Sequence, residues 1–211
     1  IKVGDSCTTV CHYKGYTYVG LSNGAEDRID NQGNVTSEFI KLADSVVCIR
    51  SHYGELFVLM YGEPYQVFVF DISGTKLNGW AHQDSGYGGY AGNKVSINRG
   101  QLGVPDAKNK RITLYTPAGE VIRHIQCDEI TANTCVSMCE CDDNSVIISC
   151  SYPGKVFKVN LTSGAVEWTN TDIIEPTTVR CYGQYVLISG DFTNQTHISI
   201  INSETGEILL H

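Results

Sequence analysis

A chain of 211 residues in which 42% are apolar can bury a full core, either as one large domain or as two smaller ones. Its formal net charge of −8 and the absence of any basic cluster argue against a phosphate-binding surface built from Lys and Arg, so nucleic acid is not an expected partner. No apolar run approaches the roughly 18 residues that cross a bilayer, and Ile1-Lys2-Val3-Gly4-Asp5 opens without a signal-like stretch, so no membrane insertion is expected.

The 21 glycines and 12 tyrosines, with only 2 methionines, suit many short strands and tight turns. Taken in order, the chain repeats one pattern of two apolar strands, a loop, and a hairpin closed by glycine. The first unit (6–42) turns at Lys14-Gly15 and again at Asp30-Asn31-Gln32-Gly33. The second (43–82) runs Val46-Val47-Cys48-Ile49, turns at Tyr53-Gly54, continues Leu56-Phe57-Val58-Leu59, and carries the hairpin strand Val67-Phe68-Val69-Phe70 into Asp71-Ile72-Ser73-Gly74. The third (93–127) turns at Arg99-Gly100, then alternates Ile112 and Leu114 inward with Thr113 and Tyr115 outward before Thr116-Pro117-Ala118-Gly119. The fourth (134–172) turns at Asp143-Asn144 and Asn160-Leu161-Thr162-Ser163-Gly164. The fifth (176–211) turns at Tyr182-Gly183 and Asn202-Ser203-Glu204-Thr205-Gly206.

The closing glycines Gly33, Gly74, Gly119, Gly164 and Gly206 recur at intervals of 41, 45, 45 and 42 residues, the period of a four-stranded propeller blade. The expected fold is therefore all-β: a single β-propeller domain over residues 1–211 with five four-stranded blades. Glu207-Ile208-Leu209-Leu210-His211 followed by Ile1-Lys2-Val3 matches Glu120 to Asp128 in pattern, so residues 1–5 are expected to complete the last blade. Two readings stay open: a closed ring of five, which is favoured, or five blades of a six- or seven-bladed propeller.

The stretch Val104-Pro105-Asp106-Ala107-Lys108-Asn109-Lys110-Arg111-Ile112-Thr113-Leu114-Tyr115 resembles the NHL repeat, in which a strand ending in Asp leads through a small polar turn, Asn and Arg into an alternating strand and a glycine turn. The match is good in this repeat and partial in the other four, the strand-end Asp and the Asn-x-Arg element being missing from the blades at 46–80 and 135–168; Ser163-Gly164-Ala165-Val166-Glu167-Trp168 is similar to quinoprotein-type repeats as well. The resemblance extends to the C-terminal propellers of tripartite-motif ubiquitin ligases. It implies a propeller that selects ligase substrates, with any ligase chemistry in domains outside this chain.

In a propeller, the loops from second to third strand and from blade to blade share one face, where rigid strands present converging side chains. The first set here is Ser22 to Arg28, Tyr61 to Gln66, Asp106 to Lys110, Ser151 to Lys155 and Asp191 to Thr196. Tyr61, Tyr152 and Phe192 stand at their entrances, either as an aromatic rim or as caps on the blade cores. Tyr65, Asp106 and Lys108 complete the candidates from these loops. The long connection Trp80 to Gly92, rich in Gly, Tyr and Ser, is read as a binding element through Trp80, His82, Asp84, Tyr87 and Tyr90, against the alternative of a mobile or self-packed loop. Arg50, Arg99 and Arg180 fall near the ends of first strands and are read as structural rather than channel-lining.

Catalytic constellations are poor. Cys135-x3-Cys139-x-Cys141 lacks the spacing of a zinc site and is read as core or turn thiols, and the six histidines share no strand position. No catalytic residue, metal or cofactor is expected. Nine cysteines, an odd number, with Cys11, Cys48 and Cys150 in apolar runs, favour the cytoplasm; the sequons at Asn34, Asn160 and Asn194 leave secretion as the alternative. The expected function is a non-enzymatic module that recognises a protein partner or peptide. The alternatives are a secreted glycan-binding propeller and a metal-dependent lyase of NHL-like fold.

Overall fold

The computed structural model describes residues 6–62, 64–82, 96–98, 100–107, 109–130, 135–192 and 195–210. These form twenty strands in five antiparallel sheets of four, each sheet ordered as its strands follow in the chain, and no helix occurs among them. Such sheets are propeller blades. Blade one is β1 (Cys7–Tyr13), β2 (Tyr16–Leu21), β3 (Ala25–Ile29) and β4 (Val35–Lys41); blade two is β5 (Val46–His52), β6 (Glu55–Met60), β7 (Tyr65–Asp71) and β8 (Lys76–His82). Blade three is β9 (Ser96–Asn98), β10 (Gln101–Asp106), β11 (Arg111–Tyr115) and β12 (Val121–Gln126). Blade four is β13 (Cys135–Asp142), β14 (Ser145–Cys150), β15 (Lys155–Asn160) and β16 (Val166–Asn170). Blade five is β17 (Pro176–Tyr182), β18 (Tyr185–Phe192), β19 (Gln195–Asn202) and β20 (Ile208–Leu210).

The chain divides into two compact units, one of Ile1–Ser85 with Pro117–Gly119, the other of Gly86–Thr116 with Glu120–His211. In the first unit, blades one and two share a core of Tyr18, Ile40, Val46, Ile49, Leu56, Val58 and Phe70. In the second, Ile112, Leu114, Ile125 and Ile130 of blade three and the segment after it pack on Met138, Ile148, Phe157 and Val159 of blade four. Cys139, Ile147 and Val156 of blade four pack on Val179, Val186, Ile188 and Ile201 of blade five. The middle strands are buried almost end to end, while the outermost strands β4, β12 and β16 are largely exposed, so hydrophobic burial concentrates where blades stack.

The turns follow from local chemistry. Lys14-Gly15 (φ 48° and 80°) and Tyr53-Gly54 (φ 44° and 92°) are left-handed at both positions, the backbone that joins two twisted strands in two residues, and glycine takes the second place at no steric cost. In the hairpins between third and fourth strands, Asp30, Asp71, Asn160 and Asn202 accept backbone N–H groups two to four residues on, at 2.8 to 3.1 Å. These hydrogen bonds, led by those from the side chains of Asn34 and Ser73, hold the Asp30 and Asp71 carboxyls below the ordinary range.

One turn differs from expectation. Tyr182 pairs with Tyr185, so blade five turns at Gly183-Gln184, one residue later than Tyr182-Gly183. The fourth strand of blade five is Ile208–Leu210, paired to β19; the part expected of residues 1–5 lies outside the described residues, as does Arg99.

Candidate functional site

The loops joining second to third strands carry the exposed aromatics. In blade two, β6 ends at Met60 and Tyr61 follows, 47% exposed, its backbone N–H held by the carbonyl of Ser45 at 2.9 Å. Tyr65 opens β7, and the two rings meet edge to face, with centroids 5.7 Å apart and planes at 86°, an orientation the aromatic quadrupole favours. Tyr65 pairs in register with His82, which is buried at the end of β8. Three of the expected residues, Tyr61, Tyr65 and His82, therefore come together at one end of blade two.

Trp80 lies two residues before His82 and faces the turn at Gly119, where an added Cβ would come within 2.5 Å of the indole. Asn78 on the same strand donates to the carbonyl of Ala118 at 2.7 Å. Trp80 thus packs on a hairpin turn. Trp168 does the same in blade four, with its indole N–H donating to the carbonyl of Ser203 at 3.0 Å and its ring against Gly206.

Asp106 is fully buried. Its carboxylate accepts the backbone N–H of Asn109 at 3.2 Å, the Asn109 side-chain amide at 2.7 Å and the Arg111 Nε at 2.9 Å. The Asp, Asn and Arg that carry the NHL-like pattern therefore lock a turn together. Tyr152 is 77% exposed in the corresponding loop of blade four. Asp84, Tyr87, Tyr90 and Lys108 lie outside the described residues, and the side chain of Phe192 is likewise not described. Arg50 and Arg180 fold back on their own strands, each donating to the preceding carbonyl, Ile49 at 2.9 Å and Val179 at 2.7 Å.

Other features were not legible from spacing. Glu26 of β3 is fully buried, neither carboxylate oxygen has a hydrogen-bond partner, and burial pushes its pKa up to about 8. The Tyr18 hydroxyl, in the same blade core, also has no partner. Lys158, 3% exposed at its side chain, sits among Asp142 and Glu167 at 3.2 Å and Glu204 at 3.5 Å. The thiols of Cys139 and Cys141 share hydrogen bonds with Cys181 of the neighbouring blade. The bond with Cys139, together with burial, pushes Cys181 up to about 12 against the lowering effect of the bond with Cys141, and the bond with Cys181 and burial raise Cys141, which makes them inert thiols. Only the tertiary fold brings Cys181 to the other two. A cavity of about 160 Å³ lies between blades three and four, bordered by Gln101, Arg123, Asp143, Asn144 and Thr162, with the Arg123 guanidinium tied to the carbonyls of Leu161 and Thr162. Among the described residues, no group of three His, Cys, Asp or Glu is placed to hold a metal ion.

No protein-family model matches this sequence, and no curated protein does. Solved structures do match. The WD40 β-propeller domain of Doa1 is 15% identical with a TM-score of 0.72, covering 95% of this chain and 66% of its own. Virginiamycin B lyase from Staphylococcus aureus is 13% identical with a TM-score of 0.71, covering 97% and 69%. A chain of the mitotic checkpoint complex is 18% identical with a TM-score of 0.69, covering 92% and 61%. This chain thus spans about two thirds of the length of these three. At such identities the likeness shows the β-propeller fold and nothing about activity.

Proposed function

We propose that this chain is a non-catalytic recognition module that binds a protein or peptide through the loops between second and third strands. The observation that carries the reading is the Tyr61–Tyr65 pair: a half-exposed ring held edge to face against a second ring, on a loop anchored by two buried strands. Such an aromatic offers contact area with little rotamer entropy to lose, which is why Tyr recurs at binding hot spots. In the corresponding loop of blade four, Tyr152 offers an exposed ring of the same kind. Among the fold neighbours, the mitotic checkpoint chain is by its description part of an assembly, which agrees with this reading.

In its finer form, the partner is a substrate delivered to a ubiquitin ligase; the NHL-like Asp106-Asn109-Arg111 pattern motivates that form. The test is photo-crosslinking from positions 61 and 152, followed by binding of the captured protein. Tyr61→Ala with Tyr152→Ala is expected to weaken binding tenfold or more, about 1.4 kcal/mol, without changing the melting temperature. Specific glycan binding lost on Tyr152→Ala would overturn the reading in favour of a lectin. Turnover that tracks a stoichiometric bound metal would overturn it in favour of a lyase, the activity in the name of one fold neighbour.

A further inference from the structure

Gly103, Leu114 and Arg123 pair across blade three in one row, and a register shift follows Leu114. Ile147, Lys158 and Trp168 hold the same row in blade four, where the shift follows Lys158. Between blades four and five that row is filled. Ile147 is buried in one cluster with Val186 and Ile188, Lys158 meets Glu204, and the Trp168 ring lies on Gly206 with its N–H on the Ser203 carbonyl. Between blades three and four, the row has no side chain at Gly103 and a guanidinium where blade four has an indole. Arg123 donates to the carbonyl of Leu161, which follows Asn160 as Ser203 follows Asn202, and to that of Thr162 at 3.3 Å. The space that an isoleucine and an indole take up at the next interface is left here as the cavity of about 160 Å³. Every residue that borders it belongs to one compact unit.

Hydrocarbon from the buried Ile112, Leu114, Val146 and Leu161 walls the inside. At the mouth, Thr162 is already committed, its hydroxyl donating to Asn144 at 2.6 Å. Two groups are not. The carbonyls of Leu161 and Thr162 take two of the five guanidinium N–H groups of Arg123, leaving three, and no carboxylate among the described residues pairs with it. The Gln101 side-chain amide has no hydrogen-bond partner among the described residues either. A charged fork that two carbonyls hold in place loses little freedom on meeting a carboxylate.

We propose that this cavity binds a small monocarboxylic acid, with its carboxylate on Arg123 and Gln101 and a hydrocarbon part the size of a benzene ring against Ile112, Leu114 and Val146. Size sets the body: an apolar cavity of about 150 Å³ holds benzene, whereas drug-sized ligands need roughly 300 Å³ or more. Charge sets the head. Arg123 favours one anionic group, while Asp143 on the rim and the net charge of −8 disfavour a phosphate ester or a dicarboxylate. The cavity lies by the turn at Asp143-Asn144, at the opposite end of blade four from the loop that carries Tyr152, so it is separate from the surface assigned to that ring.

Titration of the 211-residue chain with benzoate, benzamide and inorganic phosphate tests the proposal, followed by the NMR signals of the Arg123 Nε–H and the Gln101 amide. The expected result is saturation by benzoate at roughly millimolar concentration or below, with shifts at both groups, and at least fivefold weaker binding of benzamide and of phosphate. Arg123→Gln, at an exposed position, is expected to weaken benzoate tenfold or more and to leave benzamide as it was, with an unchanged circular dichroism spectrum. Gly103→Ala adds a methyl whose nearest neighbour is the flexible end of Met138 at 3.2 Å, and by narrowing the cavity it is expected to weaken benzoate and benzamide alike. If that variant does not fold, Arg123→Gln decides alone. Absence of both shifts at tens of millimolar benzoate overturns the proposal, as does benzoate affinity that survives Arg123→Gln. Phosphate binding as tightly as benzoate overturns it by showing a bare cation with no cavity behind it, and loss of benzoate binding in Tyr152→Ala overturns it by placing the ligand on the opposite loops.

Discussion

The hydroxyl of Ser137 accepts the backbone N–H of Val179 at 3.3 Å, joining the inner strands of blades four and five; Thr9 accepts the N–H of Ile49 at 3.4 Å in the same way between blades one and two. Register shifts at Cys7/Thr9 and Cys135/Ser137 place both hydroxyls at the same point of their strands. Ser137 is fully buried, and the amide it satisfies belongs to a fully buried Val179.

Ser137→Ala is expected to cost about 1–3 kcal/mol, because it strands a buried N–H without a partner. Ser137→Thr keeps the acceptor, as Thr9 does in blade one, and is expected to cost less. Urea unfolding of the two variants measures the difference.

Glu26 gives the protein a pH-dependent weakness. Its folded pKa, about 8, lies above the ordinary 4.5, so between those values the folded state holds a proton that the unfolded state has released. Stability is therefore full below pH 4.5, falls as pH rises through about 8, and levels off above it, by up to roughly 5 kcal/mol at about 1.4 kcal/mol per pKa unit. Glu26→Gln removes this slope. The variant is expected to be the more stable protein at pH 9 and close to the parent at pH 4.5, read from urea midpoints across the range.

Two turn glycines with similar backbone angles should respond differently to alanine. At Gly206 (φ +74°), an added Cβ would come within 2.7 Å of the Trp168 ring, which is itself held by Ser203; at Gly54 (φ +92°), nothing lies within 4 Å. Gly54→Ala is expected to lose about 1 kcal/mol from the left-handed backbone alone. Gly206→Ala adds displacement of a packed ring and is expected to lose about 2–4 kcal/mol. Thermal melts of both separate the two costs, and quenching of Trp168 fluorescence reports the shift of the ring.

Lys158 is the cation that lets three acidic side chains meet. Burial alone would lower its pKa, but hydrogen bonds to Asp142 and Glu167 outweigh burial and raise it. Lys158→Met keeps the length and removes the charge. Because the carboxylates of Asp142, Glu167 and Glu204 are 46%, 36% and 71% exposed and can regain water, the expected cost is about 1–3 kcal/mol, below that of breaking a fully buried pair. Adding salt should shrink the loss by screening the acidic cluster.

The spacing of Gly33, Gly74, Gly119, Gly164 and Gly206 was sufficient to read blades and turns, because strand alternation and turn chemistry are local and every repeat restates them. Asp30, Asp71, Asn160 and Asn202 cap their hairpins with their own side chains, so those turns too are written in a few consecutive residues. In the first hairpin of blade five, Tyr182-Gly183 and Gly183-Gln184 are both acceptable turns by residue type, and only the pairing of Tyr182 with Tyr185 selects the second.

What lay beyond the sequence is whatever depends on residues distant in the chain. Asp106 and Trp80 look like site residues in a string of letters, yet one is buried under Asn109 and Arg111 and the other packs on Gly119, some forty residues away. Glu26 looks like an ordinary strand carboxylate until blade two encloses its blade, and Cys181 meets Cys139 and Cys141 only through the stacking of two sheets. By itself the sequence determined the repeat, the strands and their turns. The stacking of blade on blade decided which side chains lose water and which remain exposed, and so where charge is strained and which aromatics are free to bind.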